Sequence, residues 1–134
     1  MHKMTEIVFD WIEYQRLADA LAEADLNVSK EAKYRAAVSR YYCAAYHYAA
    51  LYAVRCGFKP SGRGDDHENV TDYLSKYARE DSILQSVNRL RVLRTNRNRC
   101  DYSNIVENID RVLEISKSNS YKIIDIFKKE SGKW

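Results

Sequence analysis

Arg35, Ser39, Tyr42 and Tyr46 recur at helical spacing within Glu31–Ala50, a stretch whose other positions are largely apolar. All four carry groups that hold or polarise an anion, yet they share a face with residues that look like core. Buried charges and hydroxyls must be paired or hydrogen-bonded, so this stripe either stitches helices together or lines a site. A second set follows later in the chain. At 100° per residue, Arg97 and Asp101 continue the face that carries Ile83, Val87 and Leu90. They stand four apart and can pair, with Arg35, Ser39 and Tyr42 on the opposed helix as further partners. Five arginines, at 89, 91, 94, 97 and 99, make this segment a local positive patch able to hold phosphates. The competing reading is arginines lying over a helical surface and pairing with nearby acids. The candidate ligand-binding residues are therefore Arg35, Ser39, Arg40, Tyr42, Arg97, Asp101 and Tyr102.

Histidine is the usual acid–base group near neutral pH, and none occurs after His67. The expectation is a crevice of guanidinium, carboxylate and phenol groups without an imidazole. Arg40 and His47 lie seven apart, on nearly one helix face, so they join Arg97 and Tyr102 as catalytic candidates. The alternative for His47 is a partly buried ring that hydrogen-bonds within the bundle. His67 stands beside Asp65, Asp66 and Glu68, a composition that suits a helix start better than a metal site. No metal or cofactor is called for. Cys43, Cys56 and Cys100 have neither metal spacing nor an even count, so they read as small core residues in a reducing compartment. Of eleven tyrosines, Tyr41, Tyr42, Tyr46, Tyr48 and Tyr52 fall in one helix. They can stack bases, fill a core or anchor an interface, and the interface reading is preferred.

The elements that must position these groups are helices. Four glycines and one proline in 134 residues leave few breakers. A first helix is predicted from Thr5, as N-cap, to Asp25, with Val8, Trp11, Ile12, Leu17, Ala18 and Leu21 inward. Ser29 caps a second, central helix ending near Cys56, with Gly57 as its left-handed terminator. Residues 58–66 form the one clear loop. Asp65 or Asp66 caps a third helix to about Arg79, with Val70, Tyr73, Leu74 and Tyr77 at helical spacing, and Asp81 opens a fourth with Ile83, Val87, Leu90 and Leu93 inward. The last helix is expected from Ser103 or Asn104 to Lys129, with Ile105, Ile109, Val112, Leu113, Ile123, Ile124 and Phe127 inward. Its polar run at Lys117–Ser120 leaves one bent helix or two short ones open. The architecture is an all-α, up-and-down bundle of about five helices in a single domain spanning 1–134.

A net charge of +3 is too small for a dedicated duplex-binding protein. No apolar run spans a bilayer and the acidic N-terminal stretch does not resemble a secretory signal, so a cytoplasmic location without membrane attachment is expected.

The segment Arg35-Ala36-Ala37-Val38-Ser39-Arg40-Tyr41-Tyr42-Cys43-Ala44-Ala45-Tyr46-His47, followed by Leu90 to Tyr102, resembles the HEPN superfamily. Within it the match is to a branch with an R-x-A-x-S-R-x-Y-Y-A-x-Y-H helix and a later L-R-x-x-R-x-x-A-D-Y element. Trp11, Tyr14 and Gly64–His67 sit where that branch places similar residues. The resemblance implies a compact helical bundle, commonly a homodimer, from toxin-antitoxin, defence and mobile-element systems. Many members are metal-independent ribonucleases whose late helix carries Arg, four to six residues, then His; others bind a partner, often a minimal nucleotidyltransferase. Here Tyr102, Ser103 and Asn104 occupy the histidine positions after Arg97. The expected function is therefore a nucleotide-, RNA- or partner-binding module. The alternatives are a ribonuclease with a degenerate motif, using Arg97 with Tyr102 or Arg40 with His47, and a purely structural dimeric bundle.

Overall fold

Ser29 fixes the start of the longest helix, because its hydroxyl accepts the otherwise orphaned Ala32 amide at 3.0 Å. That helix ends at Arg55, and Gly57 follows with φ +118°, a conformation that favours glycine. In the computed structural model, which describes residues 8–133, the chain forms five helices and no strand among those residues. They are α1 (Ile12–Glu23), α2 (Lys30–Arg55), α3 (Asp66–Tyr77), α4 (Asp81–Tyr102) and α5 (Ile109–Ser131). The helical bundle expected from the scarcity of breakers is the observed fold. None of its helices is long and apolar enough to cross a membrane, among the described residues.

Helix α2 packs against each of the other four helices, as its nearly all-round apolar pattern requires. The main core joins Tyr42, Ala45 and Ala49 of α2 to Leu74 of α3, Leu90 and Leu93 of α4, and Ile123 and Phe127 of α5. Ser116 and Ser120 are fully buried in a continuous α5. The polar run therefore does not break the helix. Ser120 faces inward while Lys117 and Ser118 face solvent, and the Ser120 hydroxyl donates to the Tyr41 carbonyl at 2.9 Å.

Several boundaries differ from expectation. Thr5 lies outside the described residues, and α1 begins at Ile12, where the Asp10 carboxylate accepts the Ile12 amide at 3.0 Å. Asp65 and Asp66 do not cap α3 through their side chains. The Asp66 carboxylate instead accepts the Ser61 and Gly62 amides, each at 2.9 Å, and closes the preceding loop. Segment 103–108 is not helical, and Asn108 adopts a left-handed φ of 56° just before α5. Val8, Leu17, Tyr77 and Ile105, expected inward, are exposed. Cys56 is exposed as well, whereas Cys100 is buried.

Asp19 of α1 ties three helices together. It accepts hydrogen bonds from the Tyr41 hydroxyl of α2 and the Tyr121 hydroxyl of α5, and lies 3.5 Å from Lys117 Nζ. Burial opposes its ionisation, but the bonds from Tyr121 and Tyr41, with Lys117, outweigh it and hold the carboxyl below its usual range. A depressed folded pKa stabilises the fold above the unfolded value, about 3.9, and that contribution disappears as pH falls through the folded pKa. Asp19→Asn is expected to cost about 1–2 kcal/mol at pH 7, a cost that shrinks as pH falls below about 3.9, read by urea unfolding across that range.

Candidate functional site

Helical periodicity sets Arg97 and Asp101 one turn apart on α4, facing α2. The Arg97 guanidinium lies 5.0 Å from the centroid of the Tyr42 ring, with Nε 3.6 Å from Asp101 Oδ2 and Nη1 donating to Asn98 Oδ1 at 2.8 Å. Asp101 also accepts the Ser39 hydroxyl at 3.4 Å. Arg40 Nη2 donates to the same hydroxyl at 3.3 Å, while its guanidinium covers the Tyr14 ring at 4.8 Å. Arg97 and Asp101 side chains retain 22% and 30% exposure, so the crevice opens to solvent and the ion pair is partly screened.

The expectation of a crevice without an imidazole is overturned. His67, in the first turn of α3, shares a 2.6 Å hydrogen bond with the Tyr42 hydroxyl through Nδ1, and its ring stacks on Tyr46 with centroids 4.1 Å apart. Tyr42 thus carries Arg97 over its ring and His67 on its hydroxyl. Burial lowers the His67 pKa, and the positive charges of Arg97 and then Arg94 lower it further against the opposing pull of Asp66. The imidazole is therefore neutral at pH 7. Burial raises the Tyr42 pKa, so its phenol stays protonated.

His47 is elsewhere. It stacks on Trp11 with centroids 3.5 Å apart and planes 8° from parallel, and burial together with the charge of His67 brings its pKa down to about 4. Arg40 turns to Tyr14 and Ser39, so it forms no hydrogen bond or ion pair with His47.

Arg35, predicted to face Asp101, is used differently. Its Nη1 donates to the carbonyls of Cys100 at 3.1 Å and Ser103 at 2.6 Å, Nη2 donates to the Asn104 carbonyl at 3.4 Å, and Nε pairs with Glu31 at 2.9 Å. It closes the C-terminal end of α4, where carbonyls lack helical partners. Lys33 does the same for α1 through the Ala24 carbonyl at 2.8 Å. Tyr102, the last residue of α4, is 77% exposed and its hydroxyl makes no hydrogen bond among the described residues.

Tyr41, Tyr42, Tyr46 and Tyr52 are buried inside the chain, which removes them as interface anchors and as base-stacking platforms. Their rings fill the core, and the hydroxyls of Tyr41 and Tyr42 have partners on neighbouring helices. Among the described residues no group of three or more His, Cys, Asp or Glu side chains converges as a metal site.

The sequence reading found Arg97, Asp101, Ser39, Arg40 and Tyr42, which the structure brings together, and missed His67. Local spacing carries no sign of a contact between α2 and the start of α3; the only sequence signal was the resemblance at Gly64–His67. Comparison with known proteins returns no matching family model, no matching curated protein and no matching solved structure.

Proposed function

We propose that this protein is a HEPN-like module that binds the phosphate of a nucleotide or RNA in the crevice between α2, α3 and α4. The observation that carries the reading is Arg97 held on Tyr42, only loosely paired with Asp101, with a neutral His67 on the same phenol. Arg97 supplies the charge-assisted hydrogen bonds, Arg40 adds a second cation at the rim, and Asp101 orients Arg97 until a phosphate displaces it. On protonation, His67 Nδ1 donates to the Tyr42 oxygen and Nε2 becomes a cationic donor, increasing the pull on the anion.

A homodimer belongs to the same reading. It is supported by apolar surface at Phe9, Leu51 and Val54, which are 47%, 54% and 43% exposed. A nucleotidyltransferase-type protein partner, and a place in a toxin-antitoxin or mobile-element system, follow from the resemblance alone.

A specific observation favours a second reading, a metal-independent ribonuclease. His67 offers from α3 the imidazole that the late helix lacks. Incubating the protein with single-stranded RNA in excess chelator separates the two. The binding-module reading expects retention of intact RNA. Cutting that is lost in both His67→Ala and Arg97→Ala gives the site to the ribonuclease reading.

Linkage adds a prediction. A bound phosphate raises the His67 pKa from its lowered value in the free protein, so affinity increases as pH falls below about 6.5. His67→Gln is expected to flatten that dependence, measured by fluorescence anisotropy of a labelled RNA.

A further inference from the structure

A groove of about 330 Å³ runs between α3 and α4 beside the crevice, and Tyr42 forms part of both. Its walls include Arg91 and Arg94, with Thr95 and Asn98 on the next turn of α4. Arg91 is already engaged with Asp72 at 3.3 Å. Arg94 is different: it is half-buried, yet makes no hydrogen bond or ion pair among the described residues. A guanidinium taken partly out of water without an acidic partner keeps its donors free for an anion.

Arg94 and Arg97 are three residues apart, neighbours on one helix face with Cβ atoms about 5–6 Å apart. Arg97 lies over the Tyr42 ring and Arg94 lines the groove that Tyr42 also lines, so Tyr42 stands between the crevice and the groove. The remaining acid in the groove, Glu68, is exposed in the first turn of α3, where it complements the helix dipole. The crevice and the groove thus present two cations to two adjoining openings. A mononucleotide monophosphate fills one of them. Successive phosphates of a strand fill both.

We infer that the α3–α4 groove is a second phosphate subsite built on Arg94, so that the ligand is a single-stranded oligonucleotide rather than a mononucleotide. This rests on the reading that the Arg97 crevice holds a phosphate. Tyr42 is too buried to stack a base, so the selectivity is for the spacing of phosphates along a flexible strand.

The test is calorimetric titration of the full chain with adenosine monophosphate and with a single-stranded RNA tetranucleotide, using wild type, Arg94→Gln, Arg94→Lys and Arg97→Gln. Thermal melting checks that each variant folds. The expected result is at least tenfold weaker tetranucleotide binding by Arg94→Gln, unchanged adenosine monophosphate binding, and partial recovery in Arg94→Lys. The salt dependence of tetranucleotide binding should also become shallower by about 0.7 in log–log slope, the loss of one phosphate contact. Wild-type tetranucleotide affinity in Arg94→Gln, with binding still lost in Arg97→Gln, overturns the subsite and leaves the crevice standing. An equal loss for both ligands in Arg94→Gln reduces the two openings to one phosphate site and also overturns it. If wild type binds neither ligand, the crevice and the subsite fall together.

Discussion

Arg35→Ala should lower the stability of the fold by about 2 kcal/mol and the melting temperature by about 6–10 °C, without weakening ligand binding at Arg97. Arg35 donates to three backbone carbonyls where α4 ends, and its side chain is only 19% exposed. Removing it leaves the carbonyls of Cys100 and Ser103 to whatever water can reach them, and takes away a cation that offsets the negative end of the α4 dipole. Arg35→Lys should recover little of the loss. A single ammonium cannot reproduce a planar fork that serves three acceptors and Glu31 together. Thermal unfolding and RNA affinity measured on the same preparations check both halves of this expectation. A variant that melts like wild type would show that the α4 terminus does not depend on this side chain.

Arg97→Gln should do the reverse. Its stacking on Tyr42 and its loose pairing with Asp101 are worth no more than about 1 kcal/mol to the fold. The loss of a charge-assisted contact to phosphate is about 1.5–3 kcal/mol, or roughly a 10- to 100-fold weaker Kd. Equilibrium binding of a labelled single-stranded RNA reads this directly, with circular dichroism melting as the control. The structural alternative makes the opposite forecast: a large fall in melting temperature and no change in any binding. Arginines 35 and 97, both on the stripes identified from periodicity, are thus expected to separate into a fold residue and a ligand residue.

Their separation shows which parts of the site are written in local sequence. The 3.6-residue period placed Arg97, Asp101 and Ser39 correctly, because an i,i+4 pair on one helix facing a serine on its neighbour needs only helix geometry. It misassigned Arg35 because the acceptors at the end of α4 are backbone carbonyls, and these have no signature in residue type. His67 was read with the acids around it, but its partner is Tyr42, 25 positions earlier in the chain. Ser29 and Gly57 marked the ends of α2 because each satisfies a strictly local requirement. Ser103 and Asn104 look like caps, yet α5 starts at Ile109. Arg35 binds the Ser103 and Asn104 carbonyls, and Asn108 takes the left-handed turn that admits the helix. The α2 tyrosines suggested an interface by number alone. Tyr41 and Tyr42 point instead to Asp19 on α1 and His67 on α3, partners that become apparent only when three helices are assembled.

The proposed phosphate site depends on Tyr42 carrying Arg97 and His67 together as its walls. Two-dimensional NMR of the imidazole rings during titration with a short single-stranded RNA tests that arrangement, because His67 on α3 is bonded to Tyr42 whereas His47 on α2 is stacked on Trp11. The expected result is saturable movement of the His67 resonances with a rise in its pKa, a smaller response at His47, which senses the charge of His67, and loss of both in Arg97→Gln. Movement of His47 alone, or tight RNA binding that leaves His67 unperturbed, would contradict it.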